Sequence, residues 1–266
     1  MPFTLAHPAA AIPFAKPLGR YGVLSALVIG SFLPDLPHFI PVGVNRVESH
    51  SFYGLFWFCL PIGMVIFWLY HFFMKRALLS LAPRGVRRRI APENLEFPRA
   101  RLIGVLLSLL IGSATHDIWD SFTHVTGYAV QHIAWLDSTL TEIGGHKLHV
   151  YHVLQYVSSV LGLALIALWL LHWYQRSPKY PVESTKAPLL VASLGYLLIG
   201  IIPCAAAIYH GFVVLDWEAW LRGARISAVP TVSLGCQVAL AGILIYSLFY
   251  RFFVDRAFDT FGAEND

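Results

Sequence analysis

Apolar residues run in five stretches long enough to cross the ~30 Å hydrocarbon core of a bilayer: about residues 52–74, 102–124, 150–173, 189–210 and 231–250. Two shorter apolar stretches, residues 8–15 and 20–32, precede them and are joined by Lys16-Pro17-Leu18-Gly19. At a helical rise of ~1.5 Å per residue they reach only about 12 and 20 Å, short for a crossing. Pro17 and Gly19 mark a turn between them. The pattern predicts a helical hairpin over residues 1–40 that enters the membrane and returns, with one ordinary span as the alternative. Non-helical backbone at that depth has to be covered by protein. The expected fold is all-α: a polytopic membrane helical bundle of five full spans plus the N-terminal helical hairpin. One integral-membrane domain, residues 1–266, accounts for the whole pattern.

Polar residues interrupt the second long stretch at a fixed interval. His116, Asp120 and His124 stand at i, i+4 and i+8, within about 80° of arc on one helix face. Ionisable side chains inside a span are costly and mark a functional site by default. A His–x3–Asp–x3–His comb also offers nitrogen and oxygen ligands to a borderline divalent metal.

Composition strengthens the membrane reading. The chain is 57% hydrophobic and 13% charged, against roughly 25% charged in soluble domains. Cys59, Cys204 and Cys236 lie far apart in apolar stretches, so neither a disulfide framework nor a thiolate metal site is expected. The first residues lack the basic, apolar and small-residue pattern of a cleaved signal peptide.

Charge sets the orientation. The 75–101 loop carries Lys75, Arg76, Arg84, Arg87, Arg88, Arg89, Arg99 and Arg101. Arg176, Lys179, Lys186, Arg251 and Arg256 fall on the same side. The opposite side holds Arg46, Lys147, Arg222 and Arg225. The positive-inside bias makes the 75–101 loop and the C-terminus cytoplasmic, in a multi-pass protein of the inner membrane. The net charge of +4 then needs no nucleic-acid partner. Ten of the twelve histidines fall on the outer side, His7 among them if the hairpin forms. Only His71 and His172 lie at cytoplasmic ends, beside Trp68 and Trp173.

Several elements can therefore bring ligands to one outer site. His7 precedes Pro8. Pro34 ends a helix and presents Asp35. His50 sits between Ser49 and Ser51, and His149, His152, Gln155 and Ser159 open the 150–173 span. His152, Gln155 and Ser159 share a face. Asp117 points about 100° away from His116 and is expected to support the ligands rather than bind. The expected metal set is His7, Asp35, His50, His116, Asp120 and His124, with Asp117, His149, Gln155 and Ser159 behind it. His132, His146 and His210 read as interfacial side chains. The 212–230 segment, with Trp217 and Trp220, reads as an outer interfacial loop.

The segments Met1-Pro2-Phe3-Thr4-Leu5-Ala6-His7-Pro8-Ala9-Ala10, Gly30-Ser31-Phe32-Leu33-Pro34-Asp35 and Ser49-His50-Ser51-Phe52-Tyr53-Gly54-Leu55, the comb, and His152-Val153-Leu154-Gln155-Tyr156 resemble a bacterial integral-membrane family of unknown function. That family is in turn similar to the YdjM-like membrane-bound metal-dependent hydrolases, in which a Thr-His-Ser motif stands where this chain has Ser49-His50-Ser51. The order of His7, Asp35, His50, His116–x3–Asp120 and His124 is more distantly similar to the ligand order of bacterial zinc-dependent phospholipase C. The resemblance implies a metal-dependent hydrolase with phosphoester chemistry. The His–x3–Glu pair expected there is absent: Gln155 and Tyr156 follow His152 at i+3 and i+4. One or two ions fit better than three.

The expected activity is hydrolysis of a lipid or lipid-linked phosphoester at the outer membrane face. Asp120 and Asp35 bridge metals or act as base, and His152 acts as ligand or general acid. The expected cofactor is a divalent metal, Zn²⁺ first, with Mn²⁺ or Fe²⁺ as alternatives. A metal or proton pathway without hydrolysis is the competing class. It conflicts with the apolar inner halves of the spans, such as residues 161–171. Haem ligation by paired histidines is a third class, which needs no interleaved carboxylates. The sequence carries no signal for an oligomer.

Overall fold

Positions 104, 108, 112, 116, 120 and 124 form a single row along the helix Leu102–Thr123 and the turn that ends it. The first half of the row is small: Gly104, Ser108 and Gly112. The second half is the comb. In the computed structural model, which describes residues 4–90, 102–143, 146–180, 187–214 and 224–255, the small half receives the N-terminal hairpin. A Cβ on Gly112 would lie 2.3 Å from the Leu27 carbonyl oxygen, and one on Gly30 2.4 Å from that of Leu109. The two backbones touch, as small residues allow between membrane helices. Ser108 Oγ accepts the Val23 N–H at 3.0 Å and donates to the Tyr21 carbonyl at 3.1 Å. Ser113 Oγ donates to the Gly30 carbonyl at 3.0 Å. These hydroxyls satisfy backbone groups at both ends of the helix Leu24–Gly30, which lipid could not do.

The hairpin forms as expected. Its first arm runs through a 3-10 turn at Thr4–Ala6, a single α-turn at Pro8–Ala11 and a second 3-10 turn at Ile12–Ala15. The chain reverses at Gly19, whose φ of 53° favours glycine. The second arm, Leu24–Gly30, has 7 residues and reaches about 10 Å, too short to cross. After it, the Ser31–Asp35 turn leads to the short helices Leu36–Phe39 and Arg46–Ser49. The latter is fixed by a capping box: Asn45 Oδ1 accepts the Glu48 N–H, and Glu48 Oε2 accepts the Asn45 N–H.

Among the described residues, five helices are long and apolar enough to cross a membrane: Phe52–Leu81, Leu102–His132, Val150–Arg176, Leu189–Phe212 and Pro230–Val254. The second of these includes the bend after Thr123. The architecture is an all-α polytopic helical bundle. Its helices overrun the apolar stretches at several ends, because Lys75, Arg76 and Arg176 are good helix formers. Of the 75–101 segment, residues 75–81 are therefore helical and residues 91–101 lie outside the described ones. Of the 212–230 segment, residues 215–223 with Trp217 and Trp220 lie outside them, and the chain is helical again from Ala224. A small antiparallel ribbon, Thr139–Ile143 paired with His146–His149, is an addition to the all-α expectation. Its first strand carries β-branched residues at Thr139 and Thr141, which suit a pleated surface.

The chain divides into two compact units. The first comprises Met1–Pro37, Val42–Phe67 and Arg99–Arg176. Its core packs Ala26, Leu33, Phe58, Cys59, Phe67, Val105 and Leu109. Leu33 and Leu109 close over the bare face of Gly63. The second comprises His38–Pro41, Trp68–Pro98 and Ser177–Asp266. It is built on Ala77, Ala187, Tyr246, Tyr250 and Val254. There the buried hydroxyls of Ser80 and Tyr246 pair at 2.9 Å, and Tyr196 OH donates to the Leu81 carbonyl at 2.7 Å.

Gly112→Ala should separate the packing constraint from ordinary helix propensity. Its new methyl meets backbone, so melting of the detergent-solubilised protein should fall by several degrees, for an overpacking cost of about 1–3 kcal/mol. Gly200→Ala meets nothing within 4 Å and should leave melting unchanged or slightly raised.

Candidate metal centre

The close approach of Gly30 and Gly112 has a direct result one turn further on. It sets the Ser31 carbonyl against His116 Nδ1 at 2.8 Å. That bond places the proton on Nδ1 and turns Nε2, with its lone pair, inward. His50 is held the same way: its Nδ1 contacts the Arg46 carbonyl at 3.0 Å and Ser49 Oγ at 3.1 Å. Ser49, fully buried, also donates to the Pro34 carbonyl at 2.8 Å, tying the helix Arg46–Ser49 to the turn that carries Asp35.

Four groups converge. His50 Nε2 lies 3.4 Å from Asp35 Oδ1 and 3.4 Å from Asp120 Oδ2. His116 Nε2 lies 3.7 and 3.5 Å from the same two oxygens. Neither Nε2 has a well-formed hydrogen bond. Asp35, His50, His116 and Asp120 each offer a ligand atom within 4.8 Å of the others, and this group could hold a metal ion. The spacing fits one: four ligands ~2.1 Å from a tetrahedral ion stand about 3.4 Å apart. The donor set is two imidazole nitrogens and two carboxylate oxygens. The backbone carbonyls behind the imidazoles are the usual means of fixing ligand tautomer and ring orientation.

His116 is fully buried, Asp35 and Asp120 nearly so. Burial alone would raise the Asp35 pKa, but His50 and His116 beside it and the Thr4 hydroxyl hold it well below the usual carboxylate range. Thr4 Oγ1 donates to Asp35 Oδ2 at 2.6 Å. For His50, burial opposes charge. The carboxylates of Asp120 and Asp35 outweigh it and push the imidazole up to about 9, against the opposing field of Arg46. Without a metal, a proton on His50 and the guanidinium of Arg46 balance the two carboxylates. Arg46 Nη2 donates to Asp120 Oδ2 at 2.7 Å, and its Nη1 lies 3.8 Å from Asp35 Oδ1.

The remaining expected ligands surround this group. His7 is fully buried and stacks on His116 with ring centroids 3.8 Å apart. It faces Asp120 Oδ1 with Nε2 at 3.1 Å and the Thr4 carbonyl with Nδ1 at 3.2 Å. His7 therefore holds the second oxygen of Asp120. His124 faces Asp120 Oδ2 with Nδ1 at 3.3 Å, and its Nε2 meets the Gln155 amide at 3.5 Å. Gln155 is buried, and its main-chain carbonyl accepts the Ser159 hydroxyl at 2.6 Å. His152 Nδ1 accepts the His149 backbone N–H at 3.3 Å, and its ring packs on Tyr151 and His149. His149 Nδ1 donates to the Asp137 carbonyl at 2.6 Å. Asp117 follows His116 with a buried Oδ1 that lacks a hydrogen bond.

Three contributors were missed by the sequence reading. Arg46 counted there only as a charge for orientation, Thr4 only as part of the N-terminal segment that carries the resemblance, and Ser31 offers a main-chain oxygen that no side-chain pattern announces. The small residues Gly112 and Ser113 were the available signal for the last, since they mark where another backbone comes close.

No curated protein and no solved structure matches the chain. Residues 1–248 match the family described as "Domain of unknown function (DUF4184)". With nearly its whole length matched, the chain belongs to the DUF4184 family.

Proposed function

We propose that this protein is a membrane-embedded metal-dependent hydrolase that acts on a lipid or lipid-linked phosphoester at the outer face of the inner membrane. The observation that carries the reading is the convergence of His50 Nε2 and His116 Nε2 on Asp35 Oδ1 and Asp120 Oδ2 at 3.4–3.7 Å. Both imidazoles are held from behind by backbone carbonyls. Two buried carboxylates need compensating positive charge, and a divalent ion held by them and by two imidazole nitrogens would supply it. A bound divalent ion, Zn²⁺ first and Mn²⁺ or Fe²⁺ next, would acidify a water and draw charge from a phosphoryl oxygen.

The chain's own groups have definite tasks in this reading. Asp35, His50, His116 and Asp120 are ligands, and one ion is what four donors of this spacing support. His7 and His124 orient Asp120 through its two oxygens. Thr4 orients Asp35, and Gln155 orients His124. His152 is assigned as the proton donor to the leaving group, from the helix that also carries Gln155. The outer location rests on the charge pattern: Lys75 and Arg76 stand in the last turns of the helix Phe52–Leu81 and Arg84 and Arg87–Arg89 follow it, whereas His50 precedes it.

Metal content of the purified protein tests the ligand set. His116→Ala and Asp120→Ala should each lower bound metal at least tenfold at equal protein, with helicity retained by circular dichroism; equal metal in both variants removes the reading. Hydrolysis of short-chain phosphatidate should vanish with a chelator and return with Zn²⁺. Proton competition gives a second check. His50 keeps its proton up to about pH 9 in the metal-free protein, so a metal has to displace it. Apparent Zn²⁺ affinity should rise roughly tenfold per pH unit from 6 to 8 and level off above 9, as read by calorimetric titration.

A further inference from the structure

Arg46 touches both carboxylates of the candidate centre, although its charge is opposite to that of a ligand. Its guanidinium donates to Asp120 Oδ2 at 2.7 Å and lies 3.8 Å from Asp35 Oδ1. These are the same two oxygens that face His50 Nε2 and His116 Nε2. A divalent ion among those atoms and a guanidinium on one of them compete for the same lone pairs and repel each other. Arginine cannot relieve the conflict by losing its proton. It can relieve it by moving, since its side chain is 25% exposed while Asp35 and Asp120 are 1% and 5% exposed. The backbone beneath it stays fixed by the Asn45/Glu48 capping box.

We propose that Arg46 is the anion-binding residue of this site: it rests on Asp35 and Asp120 when no metal is bound and is released to grip a phosphoryl group when a metal takes those oxygens. The inference rests on the metal-centre reading and adds the residue that recognises substrate. Charge supports it. With no metal bound, the Arg46 guanidinium lies against both carboxylates. A divalent ion balances the two carboxylates by its own charge, which leaves the positive charge of Arg46 beside the centre. A phosphoryl oxyanion neutralises it, and the planar fork of arginine matches two phosphate oxygens at once. Val47, next to it in the chain, and Phe52 and Tyr53, which open the following helix, are 76%, 80% and 71% exposed. That apolar surround favours a phosphate carried on a lipid headgroup.

The test titrates detergent-solubilised full-length protein, wild type, Arg46→Met and Arg46→Lys, first with Zn²⁺ and then, Zn²⁺-loaded, with inorganic phosphate or with dihexanoyl phosphatidate below its micelle concentration. Arg46→Met should bind Zn²⁺ at least tenfold more tightly than wild type, because the competing cation is gone. It should bind the phosphoryl probe at least tenfold more weakly. Arg46→Lys keeps the charge without the fork, so its Zn²⁺ affinity should stay near wild type and its phosphoryl affinity fall about three- to tenfold. Arg46-dependent binding of phosphatidate alone assigns the ligand as a lipid headgroup, and dependence with both probes assigns a free phosphoryl group. Zn²⁺ affinity in Arg46→Met that is unchanged or weaker, or phosphoryl affinity equal in wild type and Arg46→Met, overturns the proposal while the metal centre stands. Failure of wild type to bind Zn²⁺, Mn²⁺ or Fe²⁺ overturns the metal centre itself and the proposal with it.

Discussion

Two backbones in contact at Gly30 and Gly112 determine how the rest of the first unit is arranged. Helices in lipid gain little from hiding apolar surface against one another, so close packing and buried hydrogen bonds decide which faces meet. Here the contact is close enough that the Ser113 hydroxyl reaches the Gly30 carbonyl and His116 reaches the Ser31 carbonyl. The Ser31–Asp35 turn then has one available height, level with the comb. Ser49 joins the same turn through the Pro34 carbonyl and brings His50 with it. A single steric permission, the lack of two β-carbons, thus aligns side chains drawn from widely separated parts of the chain.

The centre that results is dominated by electrostatics of burial. Asp35 and Asp120 sit where water cannot solvate them, and each is surrounded by donors. Thr4, His50, His116 and Arg46 face Asp35, while His7, His50, His116, His124 and Arg46 face Asp120. Such a network is stable only while its total charge is balanced. The balance can be met in two ways, by a proton and a guanidinium or by a divalent ion.

Much of this was legible from residue order. The five spans follow from apolar length, because a bilayer imposes a minimum that few other structures need. The hairpin follows from two stretches too short to cross with Pro17 and Gly19 between them. The comb follows from four-residue spacing, and His7, Asp35 and His50 from their places at helix ends. What could not be read was which atoms face each other. His116 and His50 occupy the centre together and His124 its edge, and that division depends on which ring nitrogen meets a carbonyl. Arg46 was hidden because a charge near a membrane end is ordinary in sequence and becomes informative only beside two buried carboxylates. The ribbon at Thr139–His149 was hidden because short strands carry a weak periodic signal next to 20-residue spans.

The separation between partners in this network has a consequence for how the protein is made. Asp35 leaves the ribosome long before His116 and Asp120; the Ser31–His116 bond alone closes a loop of 85 residues. At ~5–20 residues per second that gap lasts roughly 4–17 seconds. Throughout it the hairpin, too short to span, carries an acidic side chain that later becomes nearly inaccessible. It cannot settle into lipid by itself, so it has to wait at the membrane surface or within the insertion machinery until the helix Leu102–Thr123 arrives. The row of Gly104, Ser108 and Gly112 then acts as a berth, and the binding centre is complete only when the hairpin has docked there.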